Sequence, residues 1–293
     1  MVCFAGARDS LVGVTHECDY PTGVEKLPKL TRSKIGASLS SAEIDAAVRT
    51  LTDSGSIYAL DADLLERLSP DLVLTQGLCD VCAVSMDVVE RAVTGLKNRP
   101  ELLSLDPASL DDVLNDAVRV GEALGREEET KKKVAALRGR VSAVEEAVAG
   151  LPRPRVGCIE WLDPPFSAGH WVPEMVRIAG GEEAFSGPGD PSVRLAWEEV
   201  FDAAPDAIIL MPCGFDARRA VREARALPEL SGWDELPAVR EGRVWAVDAN
   251  SYFSRPAPRL VEGVELLARL LHPEVFPDGP ESDSAIRFTR DLV

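Results

Sequence analysis

Two of the three histidines and four of the six cysteines of this 293-residue chain lie in five short stretches. His16 and Cys18 lie in the first, Cys79 and Cys82 in the second, and Trp161, Asp163, Phe166, His170 and Trp171 in the third. Cys213 and Phe215 make the fourth, and Asn250, Tyr252, Phe253 and Arg255 the fifth. Thiolates and imidazoles suit zinc, copper or iron, so Cys79, Cys82, His16 and His170 are the candidate metal ligands. Flat apolar ligands favour aromatic walls. Trp161, Phe166, Trp171, Phe215 and Tyr252 are therefore candidate ligand contacts, with His16, Cys18, His170 and Arg255 as polar ones. Each has a plainer role open to it. Structural zinc needs four ligands and Cys79-x-x-Cys82 supplies two, so this pair also fits a redox couple or two buried thiols. His170, between Gly169 and Trp171, could equally fix a loop, and the tryptophans could simply pack.

Catalytic templates are missing. No G-x-G-x-x-G follows a strand, and there is no phosphate-binding P-loop, no G-x-S-x-G elbow and no H-E-x-x-H. His16-Glu17-Cys18 begins like the last of these but lacks a second His at helical spacing.

The elements that must position these residues alternate. Apolar runs at Leu11–Thr15, Ser56–Leu60, Asp71–Thr75 and Leu102–Leu105 predict short strands. Between them lie helical patterns, one opened by a Ser40/Glu43 capping box and one that Ser85 can cap. Past Ser109, which with Asp112 opens another helix, residues Glu127 to Ala149 contain no proline and one glycine. Val134, Leu137, Val141, Val144 and Val148 recur three and four apart, so a single stripe is apolar. About 23 residues at ~1.5 Å each span roughly 35 Å, which predicts a rigid strut. The alternation then resumes with strands at Val156–Glu160, Ala207–Met211 and Arg243–Val247. Helices begin near Pro173, Trp197 and Asp216, a last one runs over Pro256–Leu271, and a looser tail is helical near Ile286. Alternation of this kind predicts an α/β fold with parallel sheets. It divides the chain into an amino-terminal lobe over 1–108, a connector with the long helix over 109–151, and a carboxyl-terminal lobe over 152–293. In open α/β sheets ligands bind beyond the carboxyl ends of strands, and the five stretches follow strands in both halves. A ligand held between two lobes is the expectation.

A net charge of −17 argues against nucleic acid, which demands clustered Lys and Arg, and against an anionic membrane surface. The longest apolar runs fall far short of the ~18–20 residues that a spanning helix needs. No secretion signal is visible at Met1–Ala7, so the expectation is a cytoplasmic chain whose six cysteines are thiols. A longer start would make it extracytoplasmic.

Several loops are long enough to compare as motifs. Leu11-Val-Gly-Val-Thr-His-Glu-Cys-Asp-Tyr-Pro21, Leu74-Thr-Gln-Gly-Leu-Cys-Asp-Val-Cys-Ala-Val-Ser85 and Glu160-Trp-Leu-Asp-Pro-Pro-Phe-Ser-Ala-Gly-His-Trp-Val-Pro-Glu-Met175 resemble signature loops of one family. So do Met211-Pro-Cys-Gly-Phe-Asp216 and Tyr252-Phe-Ser-Arg-Pro-Ala-Pro-Arg-Leu260. That family is the cobalamin-binding substrate-binding proteins of ABC importers, within the helical-backbone metal receptor superfamily. The resemblance covers about residues 2 to 275. It implies two Rossmann-like lobes joined by one long backbone helix, with a corrinoid or related metal chelate in the cleft, a monomer, and an ABC permease as partner. It also implies that a first strand is missing before Val2. Two other readings stay open: an intracellular metal or haem protein, even an enzyme, using the Cys/His-rich loops, and a structural partner docking through the sheet edge that the missing strand leaves.

Overall fold

The computed structural model describes residues 1–36, 39–52, 57–77 and 84–290. Cys79 and Cys82 lie outside the described residues, as does the start of the strand expected at Ser56. The chain forms two compact units: Met1–Pro107 with Asn115–Lys133, and Ala108–Leu114 with Val134–Val293. The stretch read as a separate connector, 109–151, is thus shared between them.

In unit 1, strand β1 (Thr31–Ser33), helix α1 (Ser41–Thr52), strand β2 (Tyr58–Leu60), helix α2 (Ala62–Leu68), strand β3 (Leu72–Thr75), helix α3 (Met86–Gly95) and strand β4 (Glu101–Ser104) follow in order. The α1 start is capped reciprocally, as its sequence requires. The Ser40 N–H donates to Glu43 Oε2 at 2.8 Å and the Glu43 N–H to Ser40 Oγ at 3.4 Å. β3 and β4 pair in parallel, but β1 and β2 pair antiparallel in a sheet of their own. Leu11–Thr15 is not a strand: Val14 makes an isolated bridge to Lys29 and the rest is irregular. Ser85 precedes α3 without a side-chain cap.

Helices α4 (Leu110–Ala123) and α5 (Glu127–Ala147) both run from one unit's residues into the other's. The Ser109/Asp112 box opens α4, with the Asp112 N–H donating to Ser109 Oγ at 3.1 Å. α5 is the long helix that the valine spacing predicts: Val134, Leu137, Val144 and Val148 are buried along one stripe. Its 21 residues follow a reversal at Gly125, whose φ of +65° is the left-handed conformation that glycine adopts without cost. Within unit 1 the two helices meet where Gly121 faces the fully buried Thr130. A β-carbon on Gly121 would lie 2.3 Å from Thr130 Oγ1. Within unit 2, α5 is tied by Arg138 to Asp111 (2.6 Å) and by both ends of the Arg140 guanidinium to Glu265 (2.7 Å each).

Unit 2 is built on a sheet ordered β10-β9-β8-β5-β6, with β7 also against β5. Its elements are β5 (Arg155–Leu162), β6 (Pro165–Ser167), α6 (Val172–Ile178), β7 (Glu182–Glu183), α7 (Trp197–Ala203), β8 (Ala207–Leu210), α8 (Ala217–Glu223), α9 (Pro237–Arg240), β9 (Val244–Val247), α10 (Ala249–Tyr252), α11 (Leu260–Leu271) and β10 (Ala285–Arg287). β5, β7, β8 and β9 are parallel, while the edges β6 and β10 run antiparallel. Ile286 therefore sits in a strand, not the expected helix. All four residues of β8 are buried, the unbroken apolar run of a strand covered on both faces. Trp233, Leu227, Phe288 and Val200 belong to the core cluster that includes β8. α11 is apolar nearly all round, and buries Val261, Val264, Leu267 and Leu271.

The Gly121 contact generates a prediction. Gly121→Ala forces a methyl into Thr130, and overpacking of this kind costs about 1–3 kcal/mol. A urea titration of the alanine variant should show a lower midpoint; an unchanged or higher midpoint contradicts the fit described.

Candidate functional site

The parallel strands β5, β8 and β9 end side by side, and their exits are stitched together. The Met211 N–H donates to Ile159 O at 2.8 Å and the Cys213 N–H to Glu160 O at 3.0 Å, so the chain leaving β8 continues along β5. The Asn250 N–H donates to Phe215 O at 3.1 Å, which joins the β9 exit to the β8 exit. The Gly214 N–H adds a bond to Ser254 Oγ at 3.2 Å. Capping fixes the helices that follow. Asp216 accepts from the Arg219 N–H at 2.6 Å, the cap expected from sequence, and Asp248 accepts from the Ser251 N–H at 2.9 Å.

Aromatic rings and guanidinium groups occupy this rim. The rings of Trp161 and Phe215 are 5.5 Å apart and tilted by 58°. The Arg219 guanidinium lies over the Phe215 ring at 3.6 Å, and that of Arg259 over Tyr252 at 4.8 Å. Arg255 donates to the side-chain oxygen of Asn250. A guanidinium over a ring gains cation–π attraction, and the Arg259 Nε also lies 3.6 Å from Glu262 Oε2. Trp161 and Tyr252 are half-buried, Phe215 is buried, and Cys213, two residues before it, is exposed. Phe166 on β6 stands opposite Trp161 in register.

Trp161, Phe166, Phe215, Tyr252 and Arg255 are thus brought together. Sequence reasoning missed Arg219 and Arg259. Arg219 had a signal, lying four residues after Phe215 and within reach of it across a helix start.

His170 and Trp171 are placed differently. His170 adopts a φ of +56°, unusual for a residue with a β-carbon. It is pinned there by its N–H to Asp190 O at 2.6 Å and by the Gly189 N–H to its own carbonyl at 2.9 Å. Burial pushes its imidazole below the ordinary histidine value. Trp171 is not an open ligand wall, because it is 6% exposed and its indole N–H donates to Phe253 O at 2.8 Å.

His16 and Cys18 belong to unit 1. His16 Nδ1 is 2.7 Å from Thr31 Oγ1, its Nε2 is 3.1 Å from a Glu17 oxygen, and its ring faces Tyr58 at 5.3 Å. Cys18 Sγ is 3.3 Å from Thr15 Oγ1, and Lys29 Nζ donates to the carbonyls of Thr15 (3.1 Å) and Cys18 (2.8 Å). Among the described residues no three His, Cys, Asp or Glu side chains converge to hold an ion. The proposed ligands Cys79 and Cys82 are outside those residues. Cys158, in mid-β5, is fully buried, and burial pushes its thiol well up.

Comparison with known proteins places this geometry. A family model described as periplasmic binding protein matches residues 4–250. A Bacillus subtilis protein named as an ABC transporter substrate-binding lipoprotein is 25% identical over 93% of this chain and 76% of its own length. Among solved structures, the periplasmic vitamin B12-binding protein of Vibrio cholerae superposes with a TM-score of 0.67 at 20% identity, covering 92% of this chain and 91% of that one. A periplasmic haem-binding protein from a Roseiflexus species reaches 0.70 at 21% identity, covering 94% of each. These relatives are substrate-binding proteins rather than enzymes, in agreement with the sequence. The expectation of a cytoplasmic chain is overturned. The family is periplasmic and its members here are named periplasmic or lipoprotein. That expectation rested on the residues Met1–Ala7, and the compartment is given instead by the family to which the fold belongs. No helix among the described residues is long and apolar enough to cross a membrane.

His170 supplies the test of these electrostatics. With the folded value lowered, the folded state holds fewer protons than the unfolded chain just below the usual histidine range. His170 therefore favours folding above that range, and this contribution is lost as pH falls through the lowered value. An NMR pH titration should show the His170 ring titrating below a reference histidine peptide; a midpoint at or above the reference contradicts the burial described.

Proposed function

This chain belongs to the periplasmic binding protein family, and from that premise we propose that it captures a corrinoid of the cobalamin type for an ABC importer. The family implies a small-molecule ligand and a permease partner. The observation that carries the finer reading is the rim of unit 2, where Trp161, Phe215 and Tyr252 are interleaved with Arg219, Arg255 and Arg259. A metal chelate of this class has a broad apolar face and a polar fringe. Aromatic side chains cover the face and exclude water from it. Guanidinium edges donate to acceptors on the fringe, which in a corrinoid are amide carbonyls and one phosphodiester. Phe166, opposite Trp161 in register, flanks this surface as a further candidate contact.

Haem is the second reading. Its fringe carries two carboxylates, the acceptors that guanidinium pairs with best, and three structural relatives are named for haem binding. The two ligands separate in one experiment. Purified protein titrated with cyanocobalamin in a calorimeter should give saturable one-to-one binding at micromolar concentration, with haemin weaker. Trp161→Ala should weaken the preferred ligand about tenfold, the effect of losing roughly 1.4 kcal/mol of ring contact. Tighter binding of haemin would transfer the assignment to the tetrapyrrole dicarboxylate. Binding of neither would falsify the reading.

A further inference from the structure

We propose that Trp171 and Gly263 are positioning residues that set the turn carrying Tyr252 and Arg255, and that Trp171 itself does not touch the ligand; this rests on the binding surface proposed above. Three contacts hold the turn from below. The buried indole of Trp171 donates to Phe253 O at 2.8 Å. Gly263, in the first half of α11, lets the backbone come close: a β-carbon there would lie 2.3 Å from Tyr252 O and 2.8 Å from the buried Met175 Cε. The Phe253 ring, 2% exposed, is wedged into the same junction, 3.2 Å from that position. Tyr252 and Arg255 therefore flank a residue whose carbonyl is claimed by α6's leading tryptophan and whose neighbour's carbonyl rests on α11.

The Trp171 ring also lies 5.8 Å from the His170 ring, but its N–H is the group that reaches the turn. The ring fills space, and phenylalanine or leucine would fill most of it. The N–H is the distinguishing feature, and its acceptor is the backbone between the two rim residues. A buried carbonyl stripped of its donor shifts to find another, and any such shift moves Tyr252 and Arg255 with it. A displacement of about an ångström at a binding group is enough to cost affinity.

The test uses the full chain with cyanocobalamin and haemin as probes. Trp171→Phe keeps a ring and removes the N–H, and Gly263→Ala crowds Tyr252 O. Each should weaken the bound probe by about tenfold. In the double variant with Tyr252→Ala, the Trp171→Phe loss should shrink, because the residue it positions is gone. Trp233→Phe, a change in the core cluster of unit 2 away from the turn, should leave affinity unchanged at a comparable loss of melting temperature. Amide hydrogen exchange of the turn in the unliganded protein should quicken in Trp171→Phe and Gly263→Ala but not in Trp233→Phe. Wild-type protein that binds neither probe defeats the ligand reading alone, since the exchange measurement still decides the positioning. Unchanged exchange at the turn in both variants, or a Trp171→Phe loss that adds in full to that of Tyr252→Ala, overturns it.

Discussion

A strand covered on both faces has only its ends to offer. β8 buries every residue between helical layers, and β5 and β9 flank it in parallel. Side chains from the middle of such strands are committed to packing, so polar and reactive groups are confined to the turns beyond the carboxyl ends. Parallel pairing brings those turns to one edge, and backbone bonds from Cys213 to Glu160 and from Asn250 to Phe215 close the gaps between them. The rim of tryptophan, phenylalanine, tyrosine and arginine is a consequence of this burial. It needs no separate device to assemble it.

That logic explains which parts of the molecule were legible in the sequence. Helix starts with a side-chain acceptor three residues from a donor could be read directly, as Ser40/Glu43, Ser109 and Asp216 show. The long helix was equally plain, because Val134, Leu137 and Val144 hold one buried stripe along α5 that Val148 continues just past its end. Short edge strands were not. β6 lies in a proline-rich stretch that reads as loop, and β10 has three residues, too few for any period to declare itself. The run Leu11–Thr15 has a strand's composition but only Val14 finds a partner. Tertiary pairing decides such segments, and local pattern does not contain it.

At the rim, the clustering of aromatic residues after strands gave Trp161, Phe215 and Tyr252. It pointed equally to Trp171, which is buried with its N–H on Phe253 O, since a tryptophan in a loop and a tryptophan beneath a loop look alike in sequence. Arg259 stacks on Tyr252 across an irregular turn of seven residues, and no spacing rule foretells that contact. The compartment was misjudged because it was read from seven residues, Met1–Ala7, while the evidence for it lies in the family resemblance of the whole fold.

Cys158 draws out one consequence of the same burial. Its thiol sits in mid-strand, inaccessible and held in the protonated form, and a protonated thiol is a poor nucleophile. An alkylating reagent can reach it only when the packing around β5 opens. The chain thus carries its own timer for whole-unit opening: the rate at which that sulfur is modified, set against the exposed Cys213, measures how often the centre of the carboxyl-terminal unit comes apart.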